Sequence, residues 1–442
     1  MGTLGVRNLL GYIMYSQREH VMSSQHPLNG QRLPYWLAGL VLLLIFSSCT
    51  PFYSRSGTTS GDTPRIRPFV VTWNNIHLFQ GFDYKIPDPA AVANHYDFVW
   101  GAEVDHVAAI RAGNPNIFIS YYIPFNRDHG TFSNSKAYRD LAYWKAVHPN
   151  WVLYKCDRTT PAYEFGDPNI PLDFANPAVL SWQIQAYAQP ASESGYDGIA
   201  ADNVDLQNQF GACGAYMNGQ WVQRYTGQLD DPQWSADVIN WLTRMQQALH
   251  HLRHPLALIP NLAIDGLSPN DPHIQKIVDH VDGMLDEDGF TRGGEGYLTG
   301  NDWVQRIQFM EDFQKQQKPY YVVNQFGESA PINSEEIQWA LASYLMGKEH
   351  LAALFISTYQ GYGGDTRYSE YSAQIGHPID AMYQSQNVYW RGYSNGLSIV
   401  NPNATDAVTI RLRTLYVDLY GEPVSQVITM PPHSGRVLLS KF

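Results

Sequence analysis

From Arg67 onward, short apolar runs alternate with longer segments whose apolar residues recur every three or four positions, the pattern of strands followed by amphipathic helices. Eight runs read as strands: "FVVTW" at Phe69, "DFVWG" at Asp97, "IFISYY" at Ile117, "GIAAD" at Gly198, "LALIPN" at Leu256, "GMLDE" at Gly283, "YYVVNQ" at Tyr320 and "LFIST" at Leu354. Strands that alternate with helices pair in parallel, and eight of them predict an α/β fold of the (β/α)8 TIM barrel type. "WVLYK" at Trp151 fits an excursion in a long third loop. Asn176 followed by Pro177 predicts a capped helix start, and so does Asn333 with Glu336. Between Trp234 and Arg253, Val238, Leu242, Met245, Leu249 and Leu252 mark the buried face of a long helix.

Past Gln386 the period shortens to two. "VYWRGYSNGLSIVNPN", "AVTIRLR" and "RVLLSKF" alternate apolar with polar positions and are broken by Asn-Gly, Asn-Pro and Gly-Glu-Pro turns. Residues 387–442 are therefore expected to form a small C-terminal antiparallel β domain, sandwich-like, which needs the barrel of residues 67–386 to pack against. At the other end, Arg32 precedes "WLAGLVLLLIFSS", a run that suits a signal-peptide core and is short for a bilayer span. The following "IFSSC" resembles a bacterial lipobox. Residues 1–49 thus read as a signal peptide, Cys49 as the lipidation site of an exported, envelope-anchored lipoprotein, and residues 50–66 as a tether.

Composition narrows the partners. Aromatic residues make up 13% of the 442 positions, with 29 Tyr and 12 Trp, a surplus that suits stacking on sugar faces as well as core filling. A net charge of −12 without clustered Lys and Arg argues against nucleic acid. Cys156 and Cys213 are compatible with a disulfide in an oxidising compartment, and neither has metal-ligand spacing. His250 and His254 stand one helical turn apart without the Glu of a metalloprotease motif, and neither "RGGEG" nor "YGGD" follows a strand and opens a helix. No metal and no cofactor are expected.

In such a barrel the chemistry gathers at the carboxyl ends of the strands. Asp202 closes "DGIAAD" and Glu287 closes "DGMLDE", each at the same offset from the Asp-Gly pair that opens its strand. Because side chains alternate along a strand, Gly198, Ala200 and Asp202 share one side, as do Gly283, Leu285 and Glu287, so both carboxylates are expected at one mouth. Glycosidic bonds are hydrolysed by two carboxyl groups in opposite states, one giving a proton to the leaving oxygen, the other attacking carbon or activating water. Asp205, Asp286 and Asp288 stand close enough in sequence to raise the acid's pKa, while Asp197 and Asp282 read as turn formers. Glu328 is the rival carboxylate. Trp73, Asn74, Tyr121, Tyr122, Asp173, Asn203, Asn261, Gln325, Tyr359 and Gln360 fall at or beyond strand ends and are the expected substrate-binding residues.

"GYDGIAADNVD", with "LDFANPAVLSWQ" upstream and "NGLSIVNP" in the tail, resembles hypothetical glycosyl hydrolase family 15 and, more distantly, the endo-α-1,4-polygalactosaminidase family. The resemblance runs from Pro68 to Phe442 and implies a barrel hydrolase whose catalytic pair matches Asp202 and Glu287. Ala200 and Ala201 depart from the bulkier residues of that motif, which widens the space beneath the Asp202 carboxylate. The expected function is a glycoside hydrolase, retaining, acting on a polysaccharide or oligosaccharide and tied to a membrane by its N-terminal lipid. The alternative is a catalytically silent carbohydrate-binding lipoprotein, which an ion pair burying either carboxylate would favour.

Overall fold

The computed structural model describes residues 65–441 apart from 130–138, 167–168 and 264–270. The expected signal peptide, Cys49 and the expected tether up to Pro64 lie outside the described residues. Eight parallel strands organise the rest: β1 (Phe79–Gly81), β2 (Phe98–Trp100), β3 (Phe118–Pro124), β4 (Gly198–Asp202), β5 (Ala257–Leu258), β6 (Met284–Asp286), β7 (Tyr320–Gln325) and β8 (Ala352–Ser357). Strands β1 to β5 form one sheet in that order and β6 to β8 a second. Single parallel bridges, Asn261 to Leu285 and Leu78 to Leu354, link the two sheets at both junctions, so the arrangement is barrel-like. Pro260 has no N–H and ends the β5 ladder early, while its carbonyl still accepts from Leu285 N at 2.8 Å.

Seven predicted strands overlap observed ones, and the first does not. Phe69–Trp73 is not a strand; β1 is the less conspicuous "FQG" ten residues later. Phe69 instead packs with Ile66 against the inner core, its ring 4.7 Å from that of Phe118 at the start of β3, whereas Val71 and Trp73 are exposed. The apolar run covers the base of the strands rather than joining them.

Side-chain alternation divides the core into two layers. Phe79, Phe98, Trp100, Tyr122, Ala200, Ile259, Leu285, Tyr321 and Phe355 fill the space that the strands enclose, while Ile119, Tyr121, Ala201, Met284, Val322 and Leu354 face the helices. Trp100 spans the inner layer and donates from Nε1 to the carbonyl of Ile259 at 3.2 Å. Ala201 points outward, so of the two alanines only Ala200 leaves room beneath Asp202, in the layer that Trp100 and Tyr122 occupy.

Three strands open with the same device. The N–H groups of Asp97, Asp197 and Asp282 donate to Leu78, Ile119 and Leu258 of the neighbouring strand at 2.8 to 2.9 Å. The Asp197 and Asp282 carboxylates then accept from Ile119 N at 2.9 Å and Leu258 N at 2.8 Å. These aspartates fix the register from which Asp202 and Glu287 are counted. His250 bonds Asp282 at 2.9 Å, a structural use for a histidine at metal-motif spacing.

Helix α1 (Pro232–His250) is N-capped by Asp231 and buries Val238, Leu242, Met245 and Leu249 as their spacing predicts. Helix α2 (Gly300–Lys315) lines β6 and β7, and α3 (Ser334–Gly347) begins with the Asn333–Glu336 capping box. Asn176 caps the helix that starts at Pro177; a π turn over Ile184–Ala188 lets this helix accommodate Pro190, which has no N–H to offer.

Between Tyr383 and Ser440 the chain forms the antiparallel sheet expected at the C-terminus. One side holds its own core of Val388, Trp390, Ile399, Ile410, Met430 and Leu438; Tyr393, Val400 and Val437 join the main core. This second face explains why every residue of α3 from Ile337 to Gly347 is buried. Arg391 donates from Nη1 to the carbonyls of Leu345, Met346 and Lys348 at 3.2, 2.8 and 2.9 Å, satisfying groups that a helix C-terminus leaves open. Deleting Tyr389–Phe442 is expected to send the truncated protein to the insoluble fraction on expression. A soluble product with native circular dichroism would make the sheet an accessory.

The long connections flanking β4 build an excursion in which Tyr154–Lys155, the Trp151 candidate, pairs with the strand Ala212–Met217. Cys156 and Cys213 are joined by a disulfide across it, closing a separation of 57 residues. Replacing both by Ser is expected to lower unfolding free energy by about 4 kcal/mol, measured by urea denaturation without reductant.

Candidate active site

Asp202 is the last residue of β4 and Glu287 directly follows β6. Asn261 lies between them, past β5, held beside Asp202 by bonds from its N–H to Ala201 O at 2.8 Å and from Val204 N to its carbonyl at 3.0 Å. Its side-chain Nδ2 donates to Asp202 Oδ1 at 3.0 Å and to Glu287 Oε2 at 2.8 Å. One nitrogen at those two distances limits the two oxygens to 5.8 Å apart at most. Asp202 is 2% exposed and Glu287 half-buried.

Further donors flank the pair. Tyr122 OH donates to Asp202 Oδ2 at 2.8 Å and Tyr362 OH to Glu287 Oε1 at 3.3 Å. Burial, and then the Glu287 charge, push the Tyr362 phenol far above its ordinary range, so it stays a donor. Beyond β3, the fully buried Arg127 pairs through Nη1 with Glu164 and places Nη2 2.8 Å from Asn203 Oδ1 and 3.9 Å from Asp202 Oδ2. Burial raises the Glu164 carboxyl while the Arg127 charge opposes that rise. Asn203 itself has φ 57°, a left-handed turn that asparagine tolerates.

An aromatic wall stands over the β1 side of the mouth. Phe82, just past β1, has φ 58° and sets its ring 5.4 Å from Trp100, 5.5 Å from Tyr122 and 6.5 Å from Tyr362. Gly101 beneath is required: a Cβ there would stand 2.7 Å from the Phe82 ring.

The structure thus brings Tyr122, Asn203 and Asn261 together with Asp202 and Glu287. Gln325 ends β7, and its amide packs over Gly294. In the turn after β8, Tyr359 has its ring 6.5 Å from that of Tyr362, and the Gln360 carbonyl accepts from Lys85 Nζ at 2.7 Å. Four expected binding residues lie elsewhere. Trp73 stacks on His350 at 4.8 Å, ahead of the start of β8, so it and Asn74 sit at the opposite end of the strands because β1 begins later than the sequence suggests. Tyr121 faces the helices, its ring edge-on to Tyr196 at 5.1 Å, and burial pushes its phenol to about 12. Asp173 is paired inside the excursion with Arg224 at 2.8 Å, burial lifting its carboxyl to about 6 against that pairing.

Other carboxylates separate in the same way. Asp286 faces α2, where it pairs with Arg306 and accepts from Tyr320 OH at 2.6 Å. Glu328 lies exposed in the turn after β7. Arg127, Glu164, Phe82 and Tyr362 escape sequence reasoning. Arg127 in "IPFNRD" and Tyr362 in "YQGYGGD" stand just past strand ends and carry that signal; Glu164, deep in the excursion, carries none. Among the described residues no cluster of three or more His, Cys, Asp or Glu is placed to hold a metal ion.

Compared with known proteins, the chain falls among carbohydrate-active enzymes of the glycoside hydrolase class. It belongs to hypothetical glycosyl hydrolase family 15, whose profile matches residues 111–397. Solved structures that it resembles include a noncanonic maltogenic α-amylase from Thermotoga neapolitana, at 12% identity and TM-score 0.47, covering 83% of this chain and 99% of that one. An α-amylase from Malbranchea cinnamomea gives 12% identity and TM-score 0.44 over 83% and 96% of the two chains. A GH31 dextranase from Flavobacterium johnsoniae gives 12% and 0.43 over 86% and 52%. No curated protein matches.

Asn261→Asp sets a third carboxylate between two others in place of a shared donor. It is expected to destabilise the protein by about 3 kcal/mol near pH 8, through lost bonds to charged groups. The deficit should shrink as pH falls and the carboxylates protonate, which urea midpoints across pH 4 to 8 would reveal.

Proposed function

We propose that this protein is a retaining glycoside hydrolase in which Asp202 is the nucleophile and Glu287 the general acid and base, acting at the mouth of a closed (β/α)8 barrel on a polysaccharide or oligosaccharide. The observation that carries the reading is the Asn261 amide bonded to both carboxylates, which brings one oxygen of each within 5.8 Å of the other. That limit accords with the separation of about 5 to 5.5 Å in retaining enzymes and leaves little room for the water that an inverting enzyme holds.

The environments support these roles. Asp202 is enclosed, with donors from Tyr122 and Asn261 on its two oxygens, which suits a nucleophile held in one orientation. Glu287 is more open and reaches toward solvent, as a group must that protonates a leaving oxygen and later meets water. In the first step Asp202 bonds to the anomeric carbon while the bond to the leaving oxygen breaks and Glu287 gives that oxygen its proton. In the second, Glu287 takes a proton from water, whose oxygen displaces Asp202. The aromatic rings of Phe82, Tyr122 and Tyr362 supply faces for the sugar. Arg127 Nη2 stands 3.9 Å from Asp202 Oδ2 with both side chains buried, an ion pair that favours the silent binding alternative, while its shorter contacts go to Glu164 and Asn203.

Asp202→Asn and Glu287→Gln are each expected to cut turnover roughly 10²-fold or more with little change in thermal midpoint, on a polysaccharide or oligosaccharide that the wild type cleaves. Azide should restore an activated substrate's turnover by Glu287→Ala with retained configuration and by Asp202→Ala with inverted configuration. Wild-type rates in both conservative variants would sink the assignment.

We also read the protein as an exported lipoprotein acylated on Cys49, and the Cys156–Cys213 disulfide supports an oxidising compartment. Cys49→Ser is expected to move the protein from the membrane to the soluble fraction. Continued pelleting with membranes would refute the anchor.

A further inference from the structure

Glu164 is a buried carboxyl that a two-carboxylate mechanism does not use. It is 4% exposed, sits in the excursion between β3 and β4, and meets Arg127 and, at 3.2 Å, the Asn126 amide. Arg127 is fully buried and divides its planar fork. Nη1 bonds Glu164, while Nη2 bonds Asn203 and faces Asp202. The ring of Phe165, the residue after Glu164, packs 5.2 Å from the guanidinium carbon. An ion pair serving stability alone needs only one edge of the fork. Here the second edge is aimed at the nucleophile and at the left-handed residue that follows it, φ 57°.

Because a guanidinium is rigid, holding one edge sets the direction of the other. Two carboxylates around one cation also leave one negative charge, the charge a nucleophile needs. We propose that Arg127, oriented by Glu164, is the positioning residue of Asp202: it sets the direction of the carboxylate and of the Asn203 turn, and makes the β3–β4 excursion part of the active site. This rests on Asp202 being the nucleophile.

The consequence is electrostatic as well as geometric. Tyr122 and Asn261 offer Asp202 neutral donors, Glu287 lies across Asn261, Tyr362 stands beyond Glu287, and Glu164 is on the far edge of the guanidinium. Arg127 is the cation in this group, so its loss should make the Asp202 carboxyl easier to protonate.

The test follows the Asp202 carboxyl carbon by NMR in protein carrying ¹³C-labelled aspartate, the resonance being assigned by its absence in Asp202→Asn. Arg127→Met should raise the pH at which that carbon titrates by about one unit or more, a tenfold change in protonation. Since Arg127→Met strands Glu164, the double variant Arg127→Met/Glu164→Gln removes both buried charges and should show the same upward direction. Arg127→Lys, which keeps the charge and loses the fork, should fall between wild type and Arg127→Met. An unmoved titration in the double variant, with native circular dichroism, overturns the inference. The function is tested separately: an Asp202→Asn protein that still cleaves a glycan would refute the nucleophile without touching the titration result.

Discussion

Two carboxylates that share one mouth repel, and the structure turns on how that repulsion is absorbed. Asn261 does it by giving both hydrogens of one amide to the two acids, at 3.0 and 2.8 Å. The amide carries no charge, so it joins Asp202 to Glu287 without neutralising either, which an arginine in the same place would do. Its own position is secured through the backbone, by bonds to β4 and to the turn after it. The site therefore depends on the relative register of β4, β5 and β6. That register is set at the other end of the strands, where Asp197 and Asp282 each clamp a neighbour's N–H.

Much of this is legible in the sequence. Alternation along a strand put Asp202 and Glu287 on the inner side, and the equal offsets from their Asp-Gly openings reflect a shared way of starting a strand. What period and propensity cannot convey is direction beyond the ladder. Tyr121 and Tyr122 are adjacent and chemically identical, yet one meets the helices and the other meets Asp202; only the register of β3 against β4 separates them. The first strand was misplaced because hydrophobicity marks burial, not hydrogen bonding: Phe69 is partly buried beneath the strands, whereas the three residues of β1 include a glutamine and a glycine. That error carried Trp73 and Asn74 to the wrong end. Glu164 was invisible because its partner is 37 residues away and no local pattern links them.

The excursion changes the meaning of the long β3–β4 connection. A loop of that length usually varies freely at the surface. This one delivers Glu164 to the wall of the mouth, holds Asp173 against Arg224, and is tied through Cys156 to the segment after β4. Gly227 packs directly on both sulfurs, where a Cβ would stand 2.7 Å from each. The disulfide thus braces the scaffold on which Arg127's partner is mounted, so oxidation stabilises the wall of the site as well as the fold.

Three strand ends at the mouth turn through left-handed residues. Phe82 after β1, Gly101 after β2 and Asn203 after β4 all take positive φ. Each of these strand ends must turn within a residue or two, or its loop would run across the mouth and cover the carboxylates. A left-handed residue makes that turn in the shortest distance, at a cost of order 1 kcal/mol where it is not glycine. Phe82 repays the cost with ring contacts to Trp100 and Tyr122, and Asn203 with its bond to Arg127. Both compensations end on residues that border Asp202. The contacts that stabilise the strained turns are therefore the ones that shape the mouth, and loosening either turn should be felt first at Asp202.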